Sequence, residues 1–277
     1  MRVYPSSICR PVFPDGRQRK LLGKNVLIKI EYDGTNFSGW QIQPEVRTVQ
    51  GEIEHVLRYI AGEDVHIHGT SRTDSGVHAL GQCASFEWNS PMPVEKLPEV
   101  MNRRFGAGGA GRCGAPGDIR ILSAEVMDDG FHARYSCKGK TYIYVIDRTG
   151  DIFIRNRAYQ YPGAEDLDAD LMRKAAACIT GTHDFKCFET AGGTPRESTV
   201  RTVSSLDIYE GDRSVIIEIT GDGFLYNMVR IIAGTLVEAG DGRRTPESVA
   251  EAIQSRDRAN AGFTAPPQGL YLKEIYF

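Results

Sequence analysis

Residues 200–220 read VRTVSSLDIYEGDRSVIIEIT, and the pattern of these residues indicates the fold class of the chain. Two runs rich in β-branched residues, Val200–Tyr209 and Ser214–Thr220, flank the turn-forming residues Glu210, Gly211 and Asp212. Two such runs joined by a short turn that contains Gly are typical of a β-hairpin. Strands joined by short turns pair antiparallel, so the pattern favours an α+β fold over a doubly wound parallel sheet.

The alternation of strand and helix patterns extends in both directions from this hairpin. Before residue 130 the periodicity predicts the order β-α-β-β-α-β, over residues 25–32, 49–60, 65–69, 82–88, 94–105 and 119–126. After residue 130 it predicts β-α-β-β-α-α-β, over residues 140–147, 167–180, 200–209, 214–220, 224–238, 246–254 and 270–276.

The repeated order predicts two similar halves, each an antiparallel sheet of mixed topology flanked by helices. We expect a basic leader over residues 1–23, an N-terminal half over 24–130 and a C-terminal half over 131–277. Residues 106–117 hold six glycines in twelve positions and are predicted to form an inserted loop. A cleft between two halves is a common place for an active site.

Composition narrows the classes of protein that the chain can belong to. With 277 residues, 41% of them hydrophobic, the chain is globular, and no run approaches the roughly 18 apolar residues of a membrane span. Six scattered cysteines form no C-x-x-C pair, and no signal peptide opens the sequence, so a reducing, cytoplasmic location is expected.

The net charge of −3 alone argues mildly against binding to nucleic acid. The charge is unevenly distributed, however. Residues 1–30 hold seven basic residues against one acidic residue, and residues 131–160 hold six against two. Such clusters can follow an RNA backbone, although a solvated surface is the other interpretation that charge alone allows.

The densest polar cluster is the segment GTSRTDSGVH, residues 69–78, between two predicted strands. It combines a carboxylate, a guanidinium and four hydroxyl groups between glycines that allow tight turns. Considered alone, Asp74 could simply hydrogen-bond its own backbone in an Asx turn. The alternative is that this loop carries the catalytic carboxylate.

Five motifs in order resemble those of the bacterial tRNA pseudouridine synthase A family. The segment from Ser71 to Ala79 is similar to its catalytic loop, usually written GRTDAGVHA, with Ser71 for Gly and Ser75 for Ala. The other four are EYDGTNFSGWQ (31–41), FHAR with KTYIY (131–134 and 140–144), FLYNMVR (224–230) and GLYL (269–272).

The resemblance implies an isomerase that converts uridine to pseudouridine at the tRNA positions conventionally numbered 38 to 40, in the anticodon stem-loop. It also implies a homodimer that binds tRNA across both subunits. The isomerisation exchanges no electrons or atoms, so no cofactor or metal is expected, and the sequence has no P-loop or Rossmann fingerprint.

The resemblance also implies the catalytic residues. Asp74 would be the nucleophile, attacking either the ribose C1′ or the uracil C6. Arg230 would keep that carboxylate charged, and its apolar neighbours make a surface role a poor alternative. Arg72 would fill the gap left by the target base or hold a phosphate. Asp74 and Arg230 are therefore expected within hydrogen-bonding distance.

Substrate binding is assigned to four further residues. Tyr142 would stack on the extruded base in the same pocket, although a tyrosine in a strand can equally be an ordinary packing residue. Arg134, Lys138 and Lys140 are expected to contact phosphates of the RNA backbone.

Two other functions remain open from the residues alone. A non-catalytic module could use the same cleft and basic segments only to hold tRNA. A metal-dependent hydrolase could use His66 and His68, which alternate onto one face of a strand, with His78 or Asp74 as a third ligand. No known metal-binding spacing accompanies these histidines, so no metal site is predicted.

Overall fold

The computed structural model describes residues 23–106, 117–192 and 197–277. The predicted basic leader, except for its last residue, lies outside this part of the chain. So does the interior of the Gly-rich loop, residues 107–116.

Ten strands and five α-helices follow one another along the described residues. In chain order the elements are β1 (Lys24–Tyr32), α1 (Val49–Ala61), β2 (His68–Gly69), β3 (His78–Trp88), α2 (Leu97–Phe105), β4 (Ile119–Met127), β5 (Gly139–Asp147), β6 (Tyr159–Gln160), α3 (Ala169–Ile179), β7 (Gly181–Asp184), β8 (Val200–Glu210), β9 (Ser214–Gly221), α4 (Met228–Gly240), α5 (Pro246–Ser255) and β10 (Leu270–Tyr276). The predicted α+β class is confirmed.

The strands form one continuous sheet with the order β4-β1-β3-β10-β5-β9-β8-β7. The short strands β2 and β6 lie outside this order and pair with β3 and β5, respectively. Pairing along this order is antiparallel except between β3 and β10, where His78 lies opposite Tyr271 in a parallel ladder. Strand β10 therefore joins the strands that precede residue 130 to those that follow it. The division into halves at residues 130 and 131 stays a prediction.

Helix α1 shows why the predicted elements form where they do. The Thr48 hydroxyl accepts a hydrogen bond from the Gly51 N–H, which caps the helix, and Gly62 ends it in the left-handed conformation. Val49, Ile53 and Leu57 are fully buried in the hydrophobic core. The capped start and the buried apolar face thus agree with the helix predicted over residues 49–60.

Two predicted elements are shorter than expected. The strand predicted over residues 65–69 pairs only at His68 and Gly69, because the Ile67 N–H donates to the buried Glu54 carboxylate (3.0 Å) instead of to a strand. The helix predicted from Phe224 begins at Met228. Asn227, just before it, has a left-handed backbone (φ 60°), so residues 224–227 form a loop.

Helix α4 lies in the centre of the hydrophobic core, and eleven of its thirteen residues are buried. The apolar run predicted as a helix over residues 224–238 is thus almost wholly buried from Met228 onward. Within the described residues, no helix is long and apolar enough to cross a lipid bilayer.

Candidate active site

The polar loop between β2 and β3 is held to the sheet at its beginning. The backbone N–H and the hydroxyl of Thr70 both donate to the Cys83 carbonyl, at 2.9 and 3.1 Å. The Gln82 side-chain amide donates to the Ser71 carbonyl at 2.7 Å. The start of the loop is thereby fixed to β3, so the residues that follow leave the sheet at a defined angle.

The segment between β1 and α1 supports the loop from behind. The Tyr32 and Thr73 hydroxyls are hydrogen-bonded at 2.7 Å, and the Trp40 N–H donates to the Thr73 carbonyl at 3.0 Å. The Ser75 hydroxyl donates to the Phe37 carbonyl at 3.2 Å. The motif over residues 31–41 thus fixes the backbone on both sides of Asp74, a role that the sequence alone did not show.

His78 fixes the end of the loop to a distant segment. The buried imidazole accepts the Gly34 N–H at Nδ1 (3.0 Å), and its Nε2 donates to the Asn156 carbonyl (3.0 Å). Its ring stacks on Tyr271 of β10, with centroids 4.6 Å apart. Both nitrogens are thus used in holding the loop, and His78 is not placed as a metal ligand.

Asp74 and Arg230 meet in the cleft at the distance that the sequence led us to expect. The Arg230 Nη1 lies 3.2 Å from the Asp74 Oδ2, with side chains 16% and 33% exposed. The Arg230 Nε donates to the Ala265 carbonyl at 2.7 Å, and its Nη1 also donates to the Asn227 side-chain oxygen at 2.9 Å. The guanidinium is therefore held in place before any ligand binds.

Asn227 is a site residue that sequence reasoning missed. Its left-handed backbone turns the chain into α4, so that its side chain can reach both Arg230 and the Thr190 hydroxyl (3.1 Å). The available signal was its position three residues before Arg230, because residues with that spacing share one face of a helix.

The loop, β5 and the start of α4 enclose a cleft of about 560 Å³. This volume falls within the usual range for small-molecule sites. Six of the seven site residues proposed from the sequence line the cleft: Arg72, Asp74, Arg134, Lys140, Tyr142 and Arg230. Lys138 does not line it, and its side chain is exposed outside.

Tyr142 projects from β5 into the cleft and is 7% exposed. Its hydroxyl is hydrogen-bonded to that of Ser71 at 2.9 Å, and its ring meets Phe224 edge-on, with centroids 5.3 Å apart. Burial is the largest cause that raises the pKa of Tyr142 to about 12. The hydrogen bond from Ser71 lowers this pKa, and the negative charge of Asp74 raises it. The tyrosine therefore stays neutral at physiological pH.

The remaining cations of the cleft differ in how they are held. The Lys140 Nζ lies 3.4 Å from both the Thr70 carbonyl and the Ser71 hydroxyl. Arg72 and Arg134 are exposed at the opening. Arg72 has no ion-pair partner in the part of the chain that the structure describes, so its guanidinium is available to a ligand.

The two histidines considered for a metal site do not converge. His66 is exposed and lies beside Glu54, whereas His68 stacks against His132. Within residues 23–106, 117–192 and 197–277, no three His, Cys, Asp or Glu side chains are grouped to hold a metal ion.

A charged carboxylate and guanidinium in an enclosed cleft, beside a buried tyrosine and exposed cations, suit chemistry on a nucleotide. The chain matches the protein family described as tRNA pseudouridine synthase over residues 28–116 and 175–277. The tRNA pseudouridine synthase A 2 of Clostridium tetani is 43% identical over 258 residues, which cover 92% of this chain and 100% of that protein. The tRNA pseudouridine synthase A of Acetivibrio thermocellus is 44% identical over 256 residues, with the same shares covered.

The chain is thus an RNA pseudouridine synthase, which is an isomerase. Within that class the chain belongs to the tRNA pseudouridine synthase family. The resemblance seen in the sequence is confirmed, and neither a non-catalytic module nor a metal-dependent hydrolase is supported. A solved structure, the archaeal box H/ACA sRNP Nop10–Cbf5 complex, is a distant likeness, with 10% identity, a TM-score of 0.37 and coverage of 88% of this chain and 60% of that one.

Gly39 offers a test of the support behind the loop. It has a left-handed backbone (φ 90°), and an added Cβ would lie 2.7 Å from the Thr73 carbonyl oxygen. We expect Gly39→Ala to lower the free energy of unfolding by about 1–3 kcal/mol, because it combines backbone strain with a clash. It should also reduce turnover, because Thr73 directly precedes Asp74. Urea unfolding and tritium release from C5-labelled uridine in tRNA measure the two effects.

Gly62→Ala is the matched control for this prediction. Gly62 also has a left-handed backbone (φ 76°), but an added Cβ there would meet nothing within 4 Å. It should lose about 1 kcal/mol of stability from backbone strain alone and keep full turnover. Equal turnover in the two variants would show that the position of Thr73 does not depend on this contact.

Proposed function

We propose that this enzyme isomerises uridine to pseudouridine at tRNA positions 38 to 40, in the anticodon stem-loop, with Asp74 as the nucleophile. The observation that carries the proposal is the contact of Asp74 with Arg230 inside a cleft of nucleotide size. An ionised carboxylate in a secluded site is costly unless a cation lies close to it, and Arg230 meets that requirement. The relatives named tRNA pseudouridine synthase A support tRNA as the substrate.

The chemistry requires one carboxylate and no exchange of electrons. Asp74 attacks the ribose C1′ or the uracil C6, and the N-glycosidic bond breaks. The uracil rotates and its C5 bonds to C1′ as the carboxylate is released. The C5 proton is lost to water, and N1, which has lost its bond to C1′, takes up a proton. Each route begins and ends with a free carboxylate, so the enzyme is regenerated without a co-reactant.

The target base has to leave the RNA helix to reach Asp74, which costs a few kcal/mol. Tyr142 recovers part of this cost by stacking on the base. It is suited to this role because its ring lines the cleft and is held by both Ser71 and Phe224. Arg72 lies next to Asp74 with its side chain exposed, so it takes the space that the base vacates or binds a neighbouring phosphate.

Three further cations bind the RNA backbone in this proposal. Arg134 and Lys140 contact phosphates at the cleft, and Lys138 contacts one farther out, since its side chain lies outside the lining. Such contacts make tRNA affinity depend steeply on salt concentration.

We further propose that the enzyme is a homodimer located in the cytoplasm. Each subunit would consist of two halves, which meet between residues 130 and 131. One tRNA would then contact both subunits. Sedimentation equilibrium should give twice the 30.6 kDa of the chain, and a single-chain mass would rule the dimer out.

The substrate positions are tested with tRNA transcripts that carry C5-tritiated uridine. We expect the purified enzyme to release tritium without added cofactor from a transcript with uridine at positions 38, 39 or 40. Replacing only these uridines with cytidine should abolish release, whereas replacing uridines in the other loops should not. Release that persists without uridine at positions 38 to 40 would contradict the proposed target.

A further inference from the structure

Beside the cleft, three rings from two segments of the chain lie against one another at tilted angles. His68 lies in β2, and His132 and Tyr135 lie in the turn that precedes β5. The ring centroids of His68 and His132 are 4.9 Å apart, and those of His132 and Tyr135 are 4.5 Å apart, at interplanar angles of 31° and 35°. We call these three residues the ring cluster. Tyr135 is 79% exposed, so one end of the cluster faces solvent.

The backbone beneath the ring cluster is fixed from both neighbouring strands. The Asn25 side-chain amide of β1 donates to the Asp128 and Phe131 carbonyls, at 2.8 and 2.7 Å. The Ser85 hydroxyl of β3 accepts the N–H of the buried Ala133 at 3.0 Å. Because the backbone of this turn is already ordered, a ligand that binds the exposed tyrosine does not have to order it, which lowers the entropy cost of binding.

His132 is held as a neutral ring. Its Nδ1 accepts the Arg134 N–H at 3.2 Å, a bond that the protonated imidazole could not make. Burial, the neighbouring His68 and Arg134 all lower the pKa of His132. His132 therefore offers a flat, uncharged ring beside that of Tyr135.

The position of the ring cluster connects it to the catalytic cleft. Gly69, which follows His68, and Arg134, which lies between the other two residues, both line the cleft. The cluster thus adjoins residues that line the cleft. Aromatic rings combined with cations beside such a cleft are typical of sites that bind single-stranded nucleic acid.

We propose that Tyr135 and the ring cluster form a second base-binding subsite, which stacks an unpaired nucleotide adjacent in sequence to the target uridine. This inference rests on the proposed function, since it needs RNA with its target base in the cleft. It adds a contact to a nucleotide that undergoes no chemistry. A stacked neighbour would hold the RNA strand open while the target base occupies the space beside Asp74.

The test uses the full chain with Tyr135→Ala, in single-turnover tritium release from whichever tRNA the unmodified protein acts on. We expect the half-saturating enzyme concentration to rise about tenfold, as the loss of one stacked base predicts, and the maximal rate to stay within about twofold. Tyr135→Phe should behave like the unmodified protein because it keeps the ring. Tyr209→Ala is the matched control, as Tyr209 is 53% exposed on β8 and does not line the cleft.

The salt dependence of tRNA affinity distinguishes a stacking contact with a base from an ionic contact with a phosphate. Tyr135→Ala should weaken tRNA binding equally at all salt concentrations, which leaves the slope of log affinity against log salt unchanged. Arg134→Gln should make that slope shallower by about 0.7–0.9, the change expected from one lost phosphate contact. A shallower slope in Tyr135→Ala would overturn the assignment of stacking.

Two other outcomes would also reject the subsite. Tyr135→Ala indistinguishable from Tyr209→Ala would show that no base stacks there. Tyr135→Ala that sediments as a smaller species than the unmodified protein would assign the ring cluster to contact between copies of the chain. Both comparisons use a protein that still turns over, so neither depends on whether positions 38 to 40 are the true targets.

Discussion

Asp74→Asn should abolish tritium release while tRNA binding is retained. Asparagine has almost the shape of aspartate but cannot attack carbon as a carboxylate does, so we expect the maximal single-turnover rate to fall by about 10⁴-fold or more. The loop should keep its conformation, because Thr70, Thr73 and Ser75 hold it through contacts that do not involve the Asp74 side chain. The dissociation constant for tRNA should therefore stay within about threefold.

The control for this variant is Asp118→Asn. Asp118 makes a paired contact with Arg47, with the closer atoms 2.6 Å apart, and does not line the catalytic cleft. Its loss should lower stability without a comparable loss of turnover. If Asp74→Asn released tritium at the rate of the unmodified enzyme, Asp74 would not be the nucleophile. A loss of release matched by an equal loss of binding would likewise fail to support that role.

Arg230→Gln should produce the second largest loss, about 10²–10³-fold in the maximal rate. This is the range observed when one preorganised group that stabilises charge at an active site is removed. Glutamine removes the positive charge 3.2 Å from the Asp74 carboxylate and the donor to the Ala265 carbonyl. The effect should appear in the maximal rate more than in tRNA binding, because Arg230 contacts the reacting carboxylate.

Arg230→Lys distinguishes charge from geometry. Lysine restores a cation but cannot donate to Ala265 and Asn227 as the guanidinium does, so its rate should fall between those of Arg230→Gln and the unmodified enzyme. In the double variant with Asp74→Asn, loss of Arg230 should add little, since the carboxylate that it serves is gone. Additive losses would mean that Arg230 acts independently of Asp74.

Local sequence patterns were enough to predict most of the helices and strands, and the resemblance predicted the central pair of the site. The helix predicted from residue 49 begins there, because the Thr48 hydroxyl caps its first turn. The apolar neighbours of Arg230 indicated that its charge needs a partner, and the resemblance assigned Asp74 as that partner. Tyr142 followed from the resemblance, and its place in the cleft agrees with that expectation.

Contacts between distant segments could not be predicted from the sequence. The parallel pairing of β3 with β10 joins residues almost 200 positions apart, and no local periodicity encodes such a partner. The helix start at Met228 depends on the backbone of Asn227, which apolar periodicity over residues 224–238 conceals. The hydrogen bond from Tyr32 to Thr73 could likewise be seen only after folding, since the strand β1 pattern indicates burial and not a partner.

The position of β10 also affects the order in which the enzyme can be completed on the ribosome. Residues 270–276 emerge after every other strand described, yet they lie between β3 and β5 in the centre of the sheet. Chains fold from the N-terminus as they are made. Until β10 has been translated, none of the described strands connects β3, which follows the Asp74 loop, to β5, which carries Tyr142. A nascent chain can therefore form both groups of strands early and still have no assembled catalytic centre.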